Sequence, residues 1–165
     1  MGNQLSVDEQ QRLRRLLHDS RWAALATVRE DQPLASWVAF VAEDDFAGCI
    51  LHLSRLALHT RYLFDNPRAA LALSEPDGEA QPDPQRLARV SLQGQVRRIA
   101  RDAPDYDSAR RRYLARLPEA AVQFELGDFE LYRFVIETGR FVGGFGRAYR
   151  IGPDELRAVA GSAAV

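Results

Sequence analysis

The sequence predicts a mainly β fold, an antiparallel β-barrel of six or more strands with decorating helices. Three observations carry this. Between Trp22 and Leu53 three short apolar runs follow one another with only polar turns between them, which suits a meander and not a strand-helix-strand unit. Helical periodicity is confined to isolated stretches, so strands and helices do not alternate. With 165 residues, 46% of them apolar, and no internal repeat or linker, the chain suits one domain over 1–165, and closing its sheet removes exposed strand edges.

Taken in order, Ser6-Val7-Asp8-Glu9 is a capping box, and Leu13, Leu16 and Leu17 recur at helical spacing, giving an amphipathic helix from Val7 to about Asp19 within an N-terminal segment 1–20. The opening Met-Gly-Asn-Gln-Leu-Ser also fits the short N-myristoylation pattern, but the cap is the simpler use of Ser6. Strands follow at Trp22 to Val28, Pro33 to Ala42 and Cys49 to Leu53. "SRLALHTRYLFDNP" then breaks the strand rhythm, with Leu56, His59, Leu63 and Phe64 at helical spacing, Ser54 as cap and Asn66-Pro67 as stop. "RAALALS" supplies a fourth strand, and "EPDGEAQPDPQ" a polar loop. "RVSLQGQVRRIA" reads as a long strand bent at Gly94, and "PDYDSARRRYLARLP" as a second amphipathic helix. "DFELYRFVIETGRFVGGFGRAYRI" gives two or three strands with a turn at Thr138-Gly139, and Pro153 opens a short helix and tail over 152–165.

Composition narrows the chemistry. All 22 basic residues are arginines; the absence of lysine excludes a pyridoxal phosphate Schiff base and a Walker-type phosphate lysine. No apolar run approaches the ~20 residues of a membrane-spanning helix and no signal-peptide core stands at the start, so a cytoplasmic protein without membrane partners is expected. The single Cys49 packs as a small hydrophobe. His18 sits in the polar end of the first helix, and His52 and His59 lack the cysteine or carboxylate cluster of a metal centre, so no metal site is assigned. Arginines concentrate between Arg86 and Arg116, yet aromatic side chains are not interleaved with them as a base-stacking surface requires. A solvated helix face and strand is the simpler reading, and an arginine-rich nucleic-acid module stands third among the functions.

The junction Ser54, Arg55, His59, Thr60 and Arg61 gathers hydroxyls and cations at the start of a short helix, where backbone N–H groups favour an anion. Two readings stay open: a phosphate pocket, or a cap at Ser54 with Arg55 and Arg61 in water and His59 packed on the barrel. In "RFVGGFGRAYRI" the spacing of Gly144 and Gly146 suggests a dinucleotide loop, but Tyr149 stands where a third glycine is needed and strand runs into strand. Gly143, Gly144 and Gly146 therefore permit a bulge or a close backbone approach, with Phe141 and Phe145 packed on one face and Arg147 near a cofactor seam.

The succession "ALATV", "PLASWVAF", "CILHLSRLALHTRYLFDNPRAALAL" and "RVSLQGQV" resembles the FMN-binding split-barrel flavoproteins related to pyridoxamine 5′-phosphate oxidase, from about Arg21 to Ile151. Within them, "LSRLALHTRYLFDNP", "GDFELYRF" and "FVGGFGRAYRI" are most similar to the heme-utilisation branch. The resemblance implies a homodimer with FMN at the subunit interface and a flavin-dependent oxidoreductase activity. It implies flavin contacts around Ser36, Trp37, Val38, Leu53 and Ser54, and a phosphate held by Arg55, His59, Thr60 and Arg61, with His59 in place of the family's lysine. The alternative it implies is heme binding or degradation involving Asp128 and Arg147; the branch's axial histidine has no counterpart, since no histidine follows His59. The arginine-histidine signature that receives pyridoxamine phosphate is absent, so that oxidase reaction is not expected.

Overall fold

The computed structural model describes residues 4–80 and 83–162; Gly2 of the myristoylation pattern lies outside them. Helix α1 (Val7–His18) precedes the meander β1 (Trp22–Arg29), β2 (Gln32–Ala42) and β3 (Gly48–Ser54). Helix α2 (Leu58–Asp65) leads to β4 (Arg68–Ser74) and the long β5 (Arg89–Ile99). Helices α3 (Tyr106–Arg116) and α4 (Ala121–Phe124) precede β6 (Phe129–Gly144), β7 (Arg147–Ile151) and α5 (Pro153–Gly161). The sheet runs β3-β2-β1-β4-β5-β6-β7, and β3 also pairs with β6, which closes six antiparallel strands into a barrel with β7 appended. No helix among the described residues is long and apolar enough to cross a membrane.

Alternation within the strands fills the barrel, with Leu25, Phe40, Leu51, Leu71, Leu92, Phe134 and Phe141 fully buried. Leu13, Leu16 and Leu17 of α1 join that cluster, so the helix seals part of the barrel interior. β3 is buried on both faces from Gly48 to Leu53, because a second cluster, Val41, Ile50, Ile99, Leu131 and α3 residues Ala109 and Tyr113, covers its outer side. Cys49 belongs to the main core, where burial pushes its thiol up to about 12, so it packs as a hydrophobe.

Gly94 marks the bend expected of β5: the β5-β6 register shifts between Gln93 and Gly94, and a Cβ at Gly94 would lie 1.9 Å from the Val135 carbonyl oxygen. Pro153 opens α5 at its first turn. Three sequence expectations are corrected. Thr138-Gly139 is not a turn, because β6 runs unbroken through it; Gly139 is required by close packing, with a Cβ meeting Leu92 Cδ2 at 2.8 Å and the Ser91 oxygen at 3.0 Å. Ser54 is not the cap of α2, since Ala57 occupies that position without a side-chain hydrogen bond and Ser54 is drawn instead to Asp128. Phe141 is buried but Phe145, at the β6-β7 turn, is 75% exposed, so the two do not share a packed face.

The glycine-rich hairpin does bulge, with a register shift between Val142 and Gly144 and positive φ at Gly144 (142°) and Gly146 (77°). It is held by α1. Glu9, nearly buried, closes the capping box on Ser6 and accepts from Tyr149 Oη at 2.8 Å and from Arg147 at 3.3 Å. Burial pushes the Glu9 carboxyl up, but the Ser6, Tyr149 and Arg147 interactions outweigh it and hold the group below its ordinary value. Arg12 donates to the Gly143 carbonyl and pairs with Glu75, whose carboxylate also accepts from the Ala88 N–H.

Candidate functional site

The sequence-derived residues assemble around the end of β3 and the start of α2, but not as one pocket. Ser54 Oγ donates to Asp128 and accepts from the Leu56 N–H at 3.1 Å, which ties β3 to the residue just before β6. Arg55 reinforces the same seam: its N–H donates to the Asp128 carbonyl at 2.8 Å and its guanidinium to the Gly127 carbonyl at 3.1 Å. The aspartate singled out for the heme alternative therefore meets two residues singled out for flavin, Ser54 for the ring edge and Arg55 for the phosphate.

A second group forms where α2 lies beside β2. Ser36 Oγ and His59 Nδ1 are 3.1 Å apart, and burial holds the half-buried imidazole below its ordinary pKa, so the ring is neutral at pH 7. With Nδ1 tied to Ser36, the tautomer in which Nδ1 donates to Ser36 Oγ leaves the Nε2 lone pair for a ligand. Thr60 is fully buried with its hydroxyl unpartnered, whereas Arg61 is exposed and reaches back to the Leu56 carbonyl at 3.4 Å. Of the periodic positions in this helix, Leu63 is buried and Phe64 and Leu56 are exposed. Val38 and Leu53 send their side chains into the barrel core, which leaves only their backbone groups for the flavin contacts expected of them. Along β2, residues 32–39 pair with β1 alone, because β3 joins β2 only at Phe40–Ala42; one edge of the strand carrying Ser36, Trp37 and Val38 is open. Trp37 is 62% exposed and stacks on Trp22, with ring centroids 6.0 Å apart and planes 2° apart.

The other two histidines take structural positions. His18 lies in the last turn of α1, with Nδ1 2.8 Å from Asp19. His52 projects from the outer face of β3 and stacks on Phe124 with a centroid separation of 3.8 Å. Arg147 is exposed and pairs with Glu9.

Sequence reasoning missed a groove on the outer face of β5, β6 and β7. It measures about 500 Å³ and is lined by Arg89, Ser91, Gln93, Thr138, Arg140 and Arg150, with no acidic residue among its described lining. Register explains the convergence: Ser91 pairs with Arg140, and Arg140 with Arg150, so the two arginines stand side by side across adjacent strands. Arg140 and Arg150 make no ion pair among the described residues, while Arg89 donates to the Gln85 and Leu87 carbonyls at 3.2 Å. Three clustered guanidiniums without a counter-ion suit an anionic ligand. The period-two spacing of polar residues in β5 was the available signal, but the pairing that adds Arg140 and Arg150 is not visible in any local stretch.

Residues 8–157 match the CREG beta-barrel family. The heme oxygenase HutZ of Vibrio cholerae is 31% identical over 136 residues, covering 80% of this chain and 74% of that protein. Among solved structures, a heme binding protein from Mycobacterium smegmatis superposes with a TM-score of 0.78 at 29% identity; the match covers 94% of this chain but only 61% of that one. A putative pyridoxamine 5′-phosphate oxidase from Listeria innocua superposes with a TM-score of 0.61 at 16% identity over 82% of this chain and 98% of that one, which shows the fold alone. With its closed six-stranded barrel and a match over nearly its whole length, this chain belongs to the CREG beta-barrel family and is a homologue of HutZ.

Proposed function

We propose that this chain binds heme and acts in heme utilisation, with heme degradation as its activity. The 31% identity to a protein named as a heme oxygenase carries the reading. The donor set fits the group: the Arg89, Arg140 and Arg150 groove offers unpaired guanidiniums to two propionate carboxylates, and His59 offers a neutral imidazole nitrogen. When bound, heme would supply a redox-active iron centre, which the His59 imidazole would help to hold. The protein's own part is to hold the carboxylates with arginine, to keep the His59 ring oriented through Ser36, and to present Asp128, fixed by Ser54, as a hydrogen-bond acceptor.

A homodimer belongs to the same proposal. Asp128 and Arg140 are separated by twelve residues along β6, about 40 Å of strand path at ~3.3 Å per residue before curvature. One porphyrin engages both clusters only where a second copy brings its groove to the first copy's Ser54-Asp128 seam. Trp22, Trp37, Leu56, Leu58 and Phe64, all large, apolar and exposed, supply surface for such a partner. The flavin reading has weaker support, since the oxidase neighbour shares the fold at only 16% identity.

Hemin titration of the purified chain tests the reading. A saturable shift of the Soret band is expected, with affinity lowered about tenfold or more in the Arg140→Ala, Arg150→Ala double variant. No spectral change on adding hemin, together with quenching and retention of added FMN, would return the assignment to flavin.

A further inference from the structure

The arginines of α3 do not fan into solvent. Ser108, Arg111, Arg112, Ala115 and Arg116 fall three, four, seven and eight residues from the first, which places them on one helical face, while Ala109 and Tyr113 on another face enter the second core. The arginine face lines a cleft of about 620 Å³ whose opposite wall is Arg14 and His18 of α1 and whose apolar floor is Val41, Ala42 and Phe46. That volume lies within the ~300–1,000 Å³ of small-molecule sites. The floor is held in place by its surroundings: Phe46 is 3% exposed at a φ of 55°, a left-handed conformation uncommon for a bulky residue, and lies 5.9 Å beneath the Arg14 guanidinium.

Charge is not balanced within the cleft. Both lining acids are already paired, Asp44 with Arg112 and Glu43 with Arg133. Arg14 donates to the carbonyls of Val159, Ala160 and Ser162 at the end of α5, and Arg116 to the Asp19 carbonyl at 2.6 Å; these helix-end carbonyls offset the positive charge only in part, and neither guanidinium has a carboxylate partner among the described residues. The Arg111 side chain makes neither an ion pair nor a hydrogen bond among the described residues, yet it lines the same cleft. Three guanidiniums without a carboxylate partner, from two helices, thus line one cleft over apolar ground. A helix face that is merely solvated gives no such convergence with α1.

We propose that this cleft binds a small organic anion bearing at least two negative charges on an apolar body. Guanidinium forks suit a phosphate monoester and a dicarboxylate alike. The site is built within one chain, and it stands whether or not heme binds at the outer sheet.

Isothermal titration calorimetry of the full chain with adenosine monophosphate, and separately with naphthalenedicarboxylate, tests the proposal and distinguishes the two chemistries. Saturable one-to-one binding of at least one probe is expected, weakened about tenfold or more by Arg111→Ala and partly restored by Arg111→Lys. Because the exposed Arg111 side chain has no hydrogen bond or ion pair among the described residues, its removal should leave the unfolding midpoint nearly unchanged. Neither probe binding at millimolar concentration, or equal binding by wild type and Arg111→Ala, overturns the assignment. Loss of binding in Arg140→Ala with retention in Arg111→Ala would also overturn it, since the anion would then sit in the outer-sheet groove.

Discussion

Acidification should weaken this fold through His52. Its imidazole is 8% exposed, stacked on Phe124, met edge-on by Tyr113 and tilted against Phe129, and its Nδ1 has no partner. Burial, and then the charges of Arg101 and Arg110, push its pKa from 6.5 down to about 4. The unfolded chain therefore binds a proton at this ring that the folded chain refuses. Stability from this group is complete above about pH 6.5, falls as pH drops towards 4, and is flat below that. At ~1.4 kcal/mol per pK unit the whole interval corresponds to about 3 kcal/mol, and about 1.4 kcal/mol is already lost at about pH 5.5. His52→Phe retains a ring for Phe124 to stack on while removing both the titration and the unpartnered nitrogen. Urea unfolding of both proteins at pH 7.5, 5.5 and 4.5 measures the difference. Carboxylates held below their ordinary values, such as Glu75 beside Arg12 and Asp105 beside Arg133, also cost stability in acid, but equally in the two proteins. If wild type and His52→Phe lose stability in parallel from pH 7.5 to 4.5, the argument is refuted.

Two further perturbations probe the barrel itself. Gly94→Ala would force a methyl group to within 1.9 Å of the Val135 carbonyl oxygen and 2.9 Å of its carbon, so a loss of about 3 kcal/mol is expected, read as a fall of about 10 °C in the thermal midpoint; an unchanged midpoint would contradict the β5-β6 packing. Glu9→Ala removes a buried acceptor shared by Ser6, Tyr149 and Arg147 and should cost about 2–4 kcal/mol, with faster hydrogen exchange at the first turn of α1 and in β7. A fully protected β7 in that variant would show that α1 does not secure the hairpin.

Much of the fold is legible locally. The capping box at Ser6 and Glu9, the bend at Gly94 and the proline that opens α5 each depend on residues a few positions apart, and each stands where the chain indicates. Expectations failed where a distant partner outbids a local preference. Ser54 is a good cap by type, but Asp128, seventy-four residues away, takes its hydroxyl. Thr138-Gly139 resembles a turn, yet Leu92 and Ile151 crowd the glycine inside a continuous strand. Ser54 and Arg55, from the residues expected for flavin, meet Asp128, from those expected for heme, at one seam although they lie far apart in the sequence.

By itself the sequence determined the class of fold, the order of its elements and the absence of lysine chemistry, because periodicity, caps and composition are properties of short stretches. Only the tertiary structure decided where charge collects. From the arginine-rich stretch 86–116, Arg89 enters a groove completed by Arg140 and Arg150, and Arg111, Arg112 and Arg116 enter a cleft completed by Arg14. Cross-strand register and helix docking choose those neighbours, and the field at a site depends on which charges end up adjacent in space, not on which follow one another along the chain.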